Sequence, residues 1–132
     1  MEIIELKTKT IDEFIDLTDK VKELIKDSNI SEGIVHIQSL HTTTSVVVIE
    51  NEDPDLLADF FDFWNDTIKK GGWKHDKKCP RVNAHAHIKS AIMNPGVSVP
   101  FKDGELVLGR YQGICFVEFD GPQTRRVAIT IK

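Results

Sequence analysis

Imidazole has the broadest chemical use of any side chain in this sequence, as a neutral metal ligand and as an acid or base near neutral pH. His41 opens the polar run His41-Thr42-Thr43-Thr44 between two apolar segments. His75 lies in Gly71-Gly72-Trp73-Lys74-His75-Asp76, a loop of the kind that carries functional side chains on a rigid scaffold. His85 and His87 stand one residue apart in Asn83-Ala84-His85-Ala86-His87. On a helix, side chains two apart point in nearly opposite directions, so only one of that pair could join a shared centre. On an extended segment both could. Three neutral imidazoles suit zinc and leave a coordination position open. There is no HExxH or other tight spacing, so the expectation of a divalent metal rests on separated residues. Cys79, in a polar loop near His75, is a further candidate ligand, and His36, inside an alternating strand, reads as structural.

Glu50 follows the apolar run Val46-Val47-Val48-Ile49 and precedes Asn51, Glu52 and Asp53. Capping and charge at a helix start account for Asp53 and Glu52. Glu50 is less well explained that way, and a carboxylate there could act as general base or orient a metal-bound histidine. Arg125 and Arg126 follow Asp120-Gly121-Pro122. Strand alternation turns only one of them toward a pocket, where a guanidinium would match phosphate oxygens. The lysines at 69, 70, 74, 77 and 78 surround His75 and read either as solvated surface or as a dock for an anionic substrate.

These residues must be positioned by a scaffold. Residues 2–10 alternate and predict an edge strand. Thr10 with Glu13 is a capping-box pattern that predicts a helix to about Asp27, burying Phe14, Leu17, Val21, Leu24 and Ile25. Strands follow from Gly33 to Gln38 and from Ser45 to Glu50, rich in β-branched residues. Asp53-Pro54 then opens a second helix to about Lys69, with Leu56, Leu57, Phe60, Phe61, Trp64 and Ile68 toward the core and Gly71-Gly72 beyond its end. Residues 71–83 read as a loop and Ala84 to Met93 as a short helix. Strands are expected at Val97–Pro100, Glu105–Leu108, Gln112–Phe119 and Arg126–Ile131, with Asp103-Gly104 as a hairpin turn. Hairpins backed by two long helices make an α+β domain spanning 1–132.

Composition limits the partners. A net charge of -4, with 40% hydrophobic and 29% charged residues, is globular and offers no general field for nucleic acid or anionic membrane. The N-terminal residues lack a signal-peptide pattern, and no apolar run approaches a bilayer span. Two cysteines are too few for a disulfide framework, Cys115 sits in the apolar run Ile114-Cys115-Phe116-Val117, and a cytoplasmic location is expected.

Taken in order, His41-Thr42-Thr43, Glu50-Asn51 with Asp53-Pro54, His75, Asn83 to His87-Ile88-Lys89, Val99-Pro100, Leu108-Gly109, Gln112-Gly113 and Asp120-Gly121-Pro122 with Arg125 form a pattern. The chain resembles the YjbQ-like, or secondary thiamine-phosphate synthase, family. The resemblance implies an α+β subunit that forms a homotrimer, with its site near a subunit interface. It implies His41, His75 and His87 as metal ligands, while His85 falls at a variable position. Glu50 and Arg125 are the candidates for catalysis, and Asn51, Asn83, Lys89, Gln112 and Arg125 those for substrate binding. Gln123 stands where the family often has arginine, which leaves Arg125 as the anion ligand. The implied reaction joins hydroxymethylpyrimidine diphosphate to thiazole phosphate and releases pyrophosphate. Imidazole ligands favour zinc, whereas magnesium, bound through oxygens, would accompany a diphosphate substrate. Two alternatives stand beside this. One is a zinc-assisted hydrolase of a small phosphorylated or amide substrate with Glu50 as base. The other is a non-enzymatic trimeric binding protein with a structural ion.

Overall fold

The computed structural model describes all residues from 1 to 132. Twelve core residues hold it together, and nine of them come from two antiparallel sheets packed face to face. The first sheet has the order β1-β8-β3-β5-β6, formed by β1 (Glu2–Lys7), β8 (Thr124–Ile131), β3 (Glu32–Ser39), β5 (Gly96–Lys102) and β6 (Glu105–Leu106). The second has the order β2-β7-β4, formed by β2 (Glu13–Asp16), β7 (Gln112–Glu118) and β4 (Thr44–Glu50). Register decides which residues face inward. Val35 of β3 lies opposite Val99 of β5, and Ile37 lies opposite Ile129 of β8. All four are buried, facing Val46, Ile114 and Phe116 of the second sheet. Helix α1 (Thr18–Ser28) adds Val21 and Ile25 to the same core.

The outer face of the small sheet is also covered. Helix α3 (Ala84–Met93) supplies Ala86, and α2 (Pro54–Thr67) supplies Phe60 and Phe61, to a second cluster with Val117, Phe119 and Phe14. Strand β7 is therefore buried on both faces, which is why Ile114-Cys115-Phe116-Val117 is continuously apolar instead of alternating. Asp103 and Gly104 take positive φ values of 54° and 76°, the conformation a tight β5–β6 hairpin needs. No helix is long and apolar enough to cross a membrane.

The α+β class and most strands agree with the reading of the sequence. The first helix does not. It begins at Thr18, and Glu13–Asp16 pairs with Cys115–Glu118 as β2. Glu13 does accept the backbone N–H of Thr10 at 3.1 Å, but also that of Lys9 at 2.7 Å, so the motif closes a turn before a strand and no helix follows it. Phe14 accordingly packs on Phe60 and Phe61, at centroid distances of 5.0 and 4.8 Å, and not on a helix stripe. Helix α2 is N-capped by the Asp53 carboxylate, which accepts from the Asp55 N–H. Its expected burial is met in part: Ile68 at its C-cap is buried and Phe60 and Phe61 are half-buried in the second cluster, but no residue within Pro54–Thr67 is fully buried and Leu56 is 39% exposed. Three helices are present, α3 being of similar length to α1, and Lys74–Lys77 adds a 3-10 turn in the expected loop.

Candidate functional site

Helix α3 follows its N-cap Asn83 and carries His85, His87 and Lys89 at two-residue intervals, His85 and Lys89 one turn apart on the same face. As helical spacing requires, His85 and His87 point apart. His85 is buried, and His87 stands at the surface of the second sheet, where its Nδ1 is 3.1 Å from the Thr42 carbonyl. A carbonyl can only accept, so Nδ1 carries the proton and Nε2 keeps its lone pair. The 3-10 turn brings His75 beside it, with ring centroids 5.1 Å apart and planes at 84°.

A hydrogen-bond chain fixes His75. Its Nε2 lies 3.2 Å from Asn83 Oδ1, while Asn83 Nδ2 donates to Asp120 Oδ2 at 3.0 Å. Arg81 donates to the same carboxylate at 2.9 Å and to the Asp120 carbonyl at 2.9 Å. Because Asn83 presents its oxygen, His75 Nε2 is the donor and Nδ1 is free. Burial works to raise the Asp120 pKa, but hydrogen bonds from Arg81 and Asn83, with the charges of Arg81 and Arg125, hold it below its ordinary value. The two rings thus each have one nitrogen anchored by a protein acceptor and the other available, the arrangement that orients imidazole ligands. They face a cavity of about 670 Å³ also lined by Trp73, Lys74 and Ile88. The Trp73 indole N–H is tied to the Lys69 carbonyl at 2.7 Å.

His41 does not join this pair. Its Nε2 accepts the backbone N–H of Arg126 at 2.8 Å, so in the neutral ring Nδ1 bears the proton and neither nitrogen is free. Burial and the charges of Arg125 and Arg126 lower its pKa, against the opposing charge of Glu118. No group of three His, Cys, Asp or Glu side chains in the chain is placed to hold a metal. One chain therefore fits a two-imidazole half-site and not the expected three-histidine centre.

Arg125 is also reassigned. It is 3% exposed and makes a bidentate ion pair with Glu118, Nε to Oε2 at 2.7 Å and Nη2 to Oε1 at 2.5 Å, with Thr43 Oγ1 as a further acceptor at 2.7 Å. A guanidinium committed in this way is a structural cation and not a phosphate ligand. Glu50, Asn51 and Gln112 gather at the opposite end of β4, where Glu50 lies opposite Gln112. Six residues of strand separate Glu50 from Thr44, roughly 20 Å. Glu50 therefore cannot serve the His75–His87 pair of its own chain as base. Asn51 Nδ2 donates to Asp16 at 2.9 Å and packs on Gly113, where a Cβ would lie 2.3 Å from it, and Gln112 accepts the Gly109 N–H at 2.7 Å. These are ties of strand and turn.

Asn83 is buried as a bridge between His75 and Asp120, and Cys79 Sγ is 3.4 Å from the same Asn83 oxygen. Lys89 is fully buried, donating to Asn65 Oδ1 at 2.6 Å, 3.1 Å from His85 Nδ1 and 5.7 Å from the Phe119 ring centre. It too is out of reach of a substrate in the cavity.

The family described as UPF0047 protein YjbQ-like matches residues 2–132. The chain belongs to the YjbQ-like family. A UPF0047 protein of Archaeoglobus fulgidus is 40% identical over 127 residues, covering 96% of each chain. The UPF0047 protein YugU of Bacillus subtilis is 34% identical, covering 95% of this chain and 93% of its own. A solved YjbQ/UPF0047 structure from Clostridium acetobutylicum superposes with a TM-score of 0.94 at 37% identity over all of both chains. A YbjQ-like protein of unknown function from Sulfolobus solfataricus gives 0.93 at 30%, covering 98% of this chain and 94% of that one. In this YjbQ-like chain the supporting residues that sequence reasoning passed over are Arg81, Glu118 and Asp120. Glu118 did leave a signal, as a carboxylate closing an otherwise apolar strand, where it requires a buried cation.

Proposed function

We propose that this YjbQ-like protein is a small-molecule enzyme working at the His75–His87 cavity, with a divalent metal, zinc before others, held by His75 Nδ1 and His87 Nε2. The observation that carries the reading is the opposed anchoring of the two rings, on Asn83 and Thr42, at a centroid distance of 5.1 Å. The metal would act as a Lewis acid or charge neutraliser at a phosphorylated substrate. Around it, Trp73 offers an aromatic face, and Lys74 with its neighbouring lysines offers positive charge. Those features suit a planar, phosphorylated substrate. The implied joining of hydroxymethylpyrimidine diphosphate and thiazole phosphate is the reaction kept. Because one chain supplies two ligands, the full set would draw on a second copy, in keeping with the homotrimer implied by the resemblance. The cytoplasm remains the expected compartment.

Metal content of protein purified without an affinity tag, followed by product analysis with the two phosphorylated substrates, tests this. His75→Ala and His87→Ala should each abolish tight metal uptake and turnover, and His85→Ala should retain both. Full metal occupancy in the first two variants would remove the assigned centre.

A further inference from the structure

The outer face of the five-stranded sheet is open: Ile34 of β3 is 54% exposed, and Gln38, Ser98 and Arg126 on the same face are exposed. There the β3–β5 register sets His36 directly opposite Ser98. Ser39 donates its N–H to the Pro95 carbonyl, while Ile34 exchanges both backbone bonds with Lys132. The odd-numbered residues of β3 therefore bond to β5, and His36 and Ser98 form a non-hydrogen-bonded pair, in which facing side chains are closest. Ser98 Oγ is 2.8 Å from His36 Nδ1, and Gln38 Oε1 is 3.0 Å from His36 Nε2. An amide oxygen can only accept, so Nε2 carries the proton and the Ser98 hydroxyl donates to the lone pair of Nδ1. Gly96, opposite Gln38, leaves room for this, since a Cβ there would lie 3.2 Å from the Gln38 Cβ. Hydroxyl, base and orienting group stand in the order of a nucleophile triad, with an amide in the third place. By the same alternation the Ser98 N–H points to the far edge of β5. Strand β6 ends at Leu106, opposite Phe101, so no strand takes up that N–H. A serine nucleophile offers this same donor to an oxyanion.

We propose that Ser98 is a nucleophile toward activated short-chain acyl esters, with His36 as general base and Gln38 as a positioning residue. The hydroxyl oxygen bonds to the ester carbonyl carbon, and its proton passes to His36 Nδ1. The carbonyl oxygen takes up the negative charge beside the Ser98 N–H. The bond from carbon to the leaving oxygen then breaks, and His36 returns its proton to that oxygen. Water, giving a proton to the same imidazole, releases the carboxylic acid and restores Ser98. Ile34 and Pro100, the next pair on this face, give the acyl chain an apolar floor. Helices α2 and α3 cover the other sheet, so the site shares no residue with the His75–His87 cavity.

The test treats the full chain with p-nitrophenyl acetate, following nitrophenol release and locating the acetyl group by mass spectrometry after acid quenching. Acetyl should be found on Ser98 and be absent from that peptide in Ser98→Ala. His36→Ala should slow release by about 10²-fold or more. Gln38→Leu should slow it as well, and Gln38→Glu should restore it, because a carboxylate also accepts the Nε2 proton. Nitrogen NMR of His36 should show the Nε2–H tautomer. None of the three side chains belongs to either core, so the variants keep the fold. Acetyl confined to lysines or Cys79, release from Ser98 that is unchanged in His36→Ala, or an Nδ1–H tautomer would each overturn the proposal.

Discussion

Arg125 and Lys89 are both cations sealed from solvent, at 3% and 0% exposure, yet they are held in opposite ways. Arg125 meets a carboxylate in two-point geometry and a threonine hydroxyl beside it. Lys89 has no carboxylate within ion-pair distance and is satisfied by an amide oxygen and an imidazole nitrogen. Burial lowers the Lys89 pKa, with the charge of Asp12 opposing. The Glu118–Arg125 pair ties β7 to β8 and, through Thr43, to the turn that carries Thr42, so it fixes the platform on which His87 rests. Lys89 ties α3 to α2 through Asn65, whose Nδ2 in turn donates to Asp12 at 2.9 Å. One cation locks two strands, and the other joins two helices on the outer face.

Breaking the first lock should have the largest effect. Glu118→Ala strands a buried guanidinium, and removal of one partner of such a pair costs about 3–5 kcal/mol. Urea unfolding at neutral pH would measure it. A loss under about 1 kcal/mol would mean that Arg125 escapes to water and the pair is peripheral.

Next in size is the anchoring of His75. Asn83→Ala removes the acceptor for its Nε2 while leaving both candidate ligands, and loss of such an orienting partner weakens metal affinity about 10–100-fold. Competition with a chelator of known affinity reads this directly. Unchanged affinity would show that His75 is oriented by its backbone alone.

The contrast also marks what could be read in the chain. Strands β3, β4 and β7 and helices α2 and α3 were legible because local pattern and capping residues agree with the tertiary outcome. Residues 10–17 were not, since Glu13 serves a turn at Lys9 and Thr10, and Phe14 and Ile15 take their strand form from β7, about a hundred residues away. His75 and His87 could be singled out by type and context. The duties of Arg125 and Lys89 could not, because a cation followed by small or apolar residues looks alike whether it ends in solvent, on a carboxylate or against an imidazole. Only the fold puts Glu118 beside one and His85 beside the other.

The smallest expected effects are at Lys89, and they sharpen the comparison most. Lys89→Met removes a buried cation but leaves the Asn65 oxygen without its donor, so stability near pH 7 should stay within about 1 kcal/mol of wild type. The pH trend should differ. A lysine with a depressed folded-state pKa binds fewer protons when native than when unfolded, between that pKa and its ordinary 10.5. Wild-type stability should therefore rise with pH across this window, and the methionine variant should lack that rise. His85→Asp makes the converse change, placing a carboxylate one helical turn before Lys89 in the favourable order. That gives Lys89 the kind of partner Arg125 has, raises its pKa, flattens the same pH trend and should add about 1 kcal/mol near neutral pH. Denaturant midpoints at about pH 7 and about pH 9.5 for the three proteins decide the matter. Parallel pH trends in all three would mean that Lys89 reaches water in the native state, and that its burial differs in no energetic sense from that of Arg125.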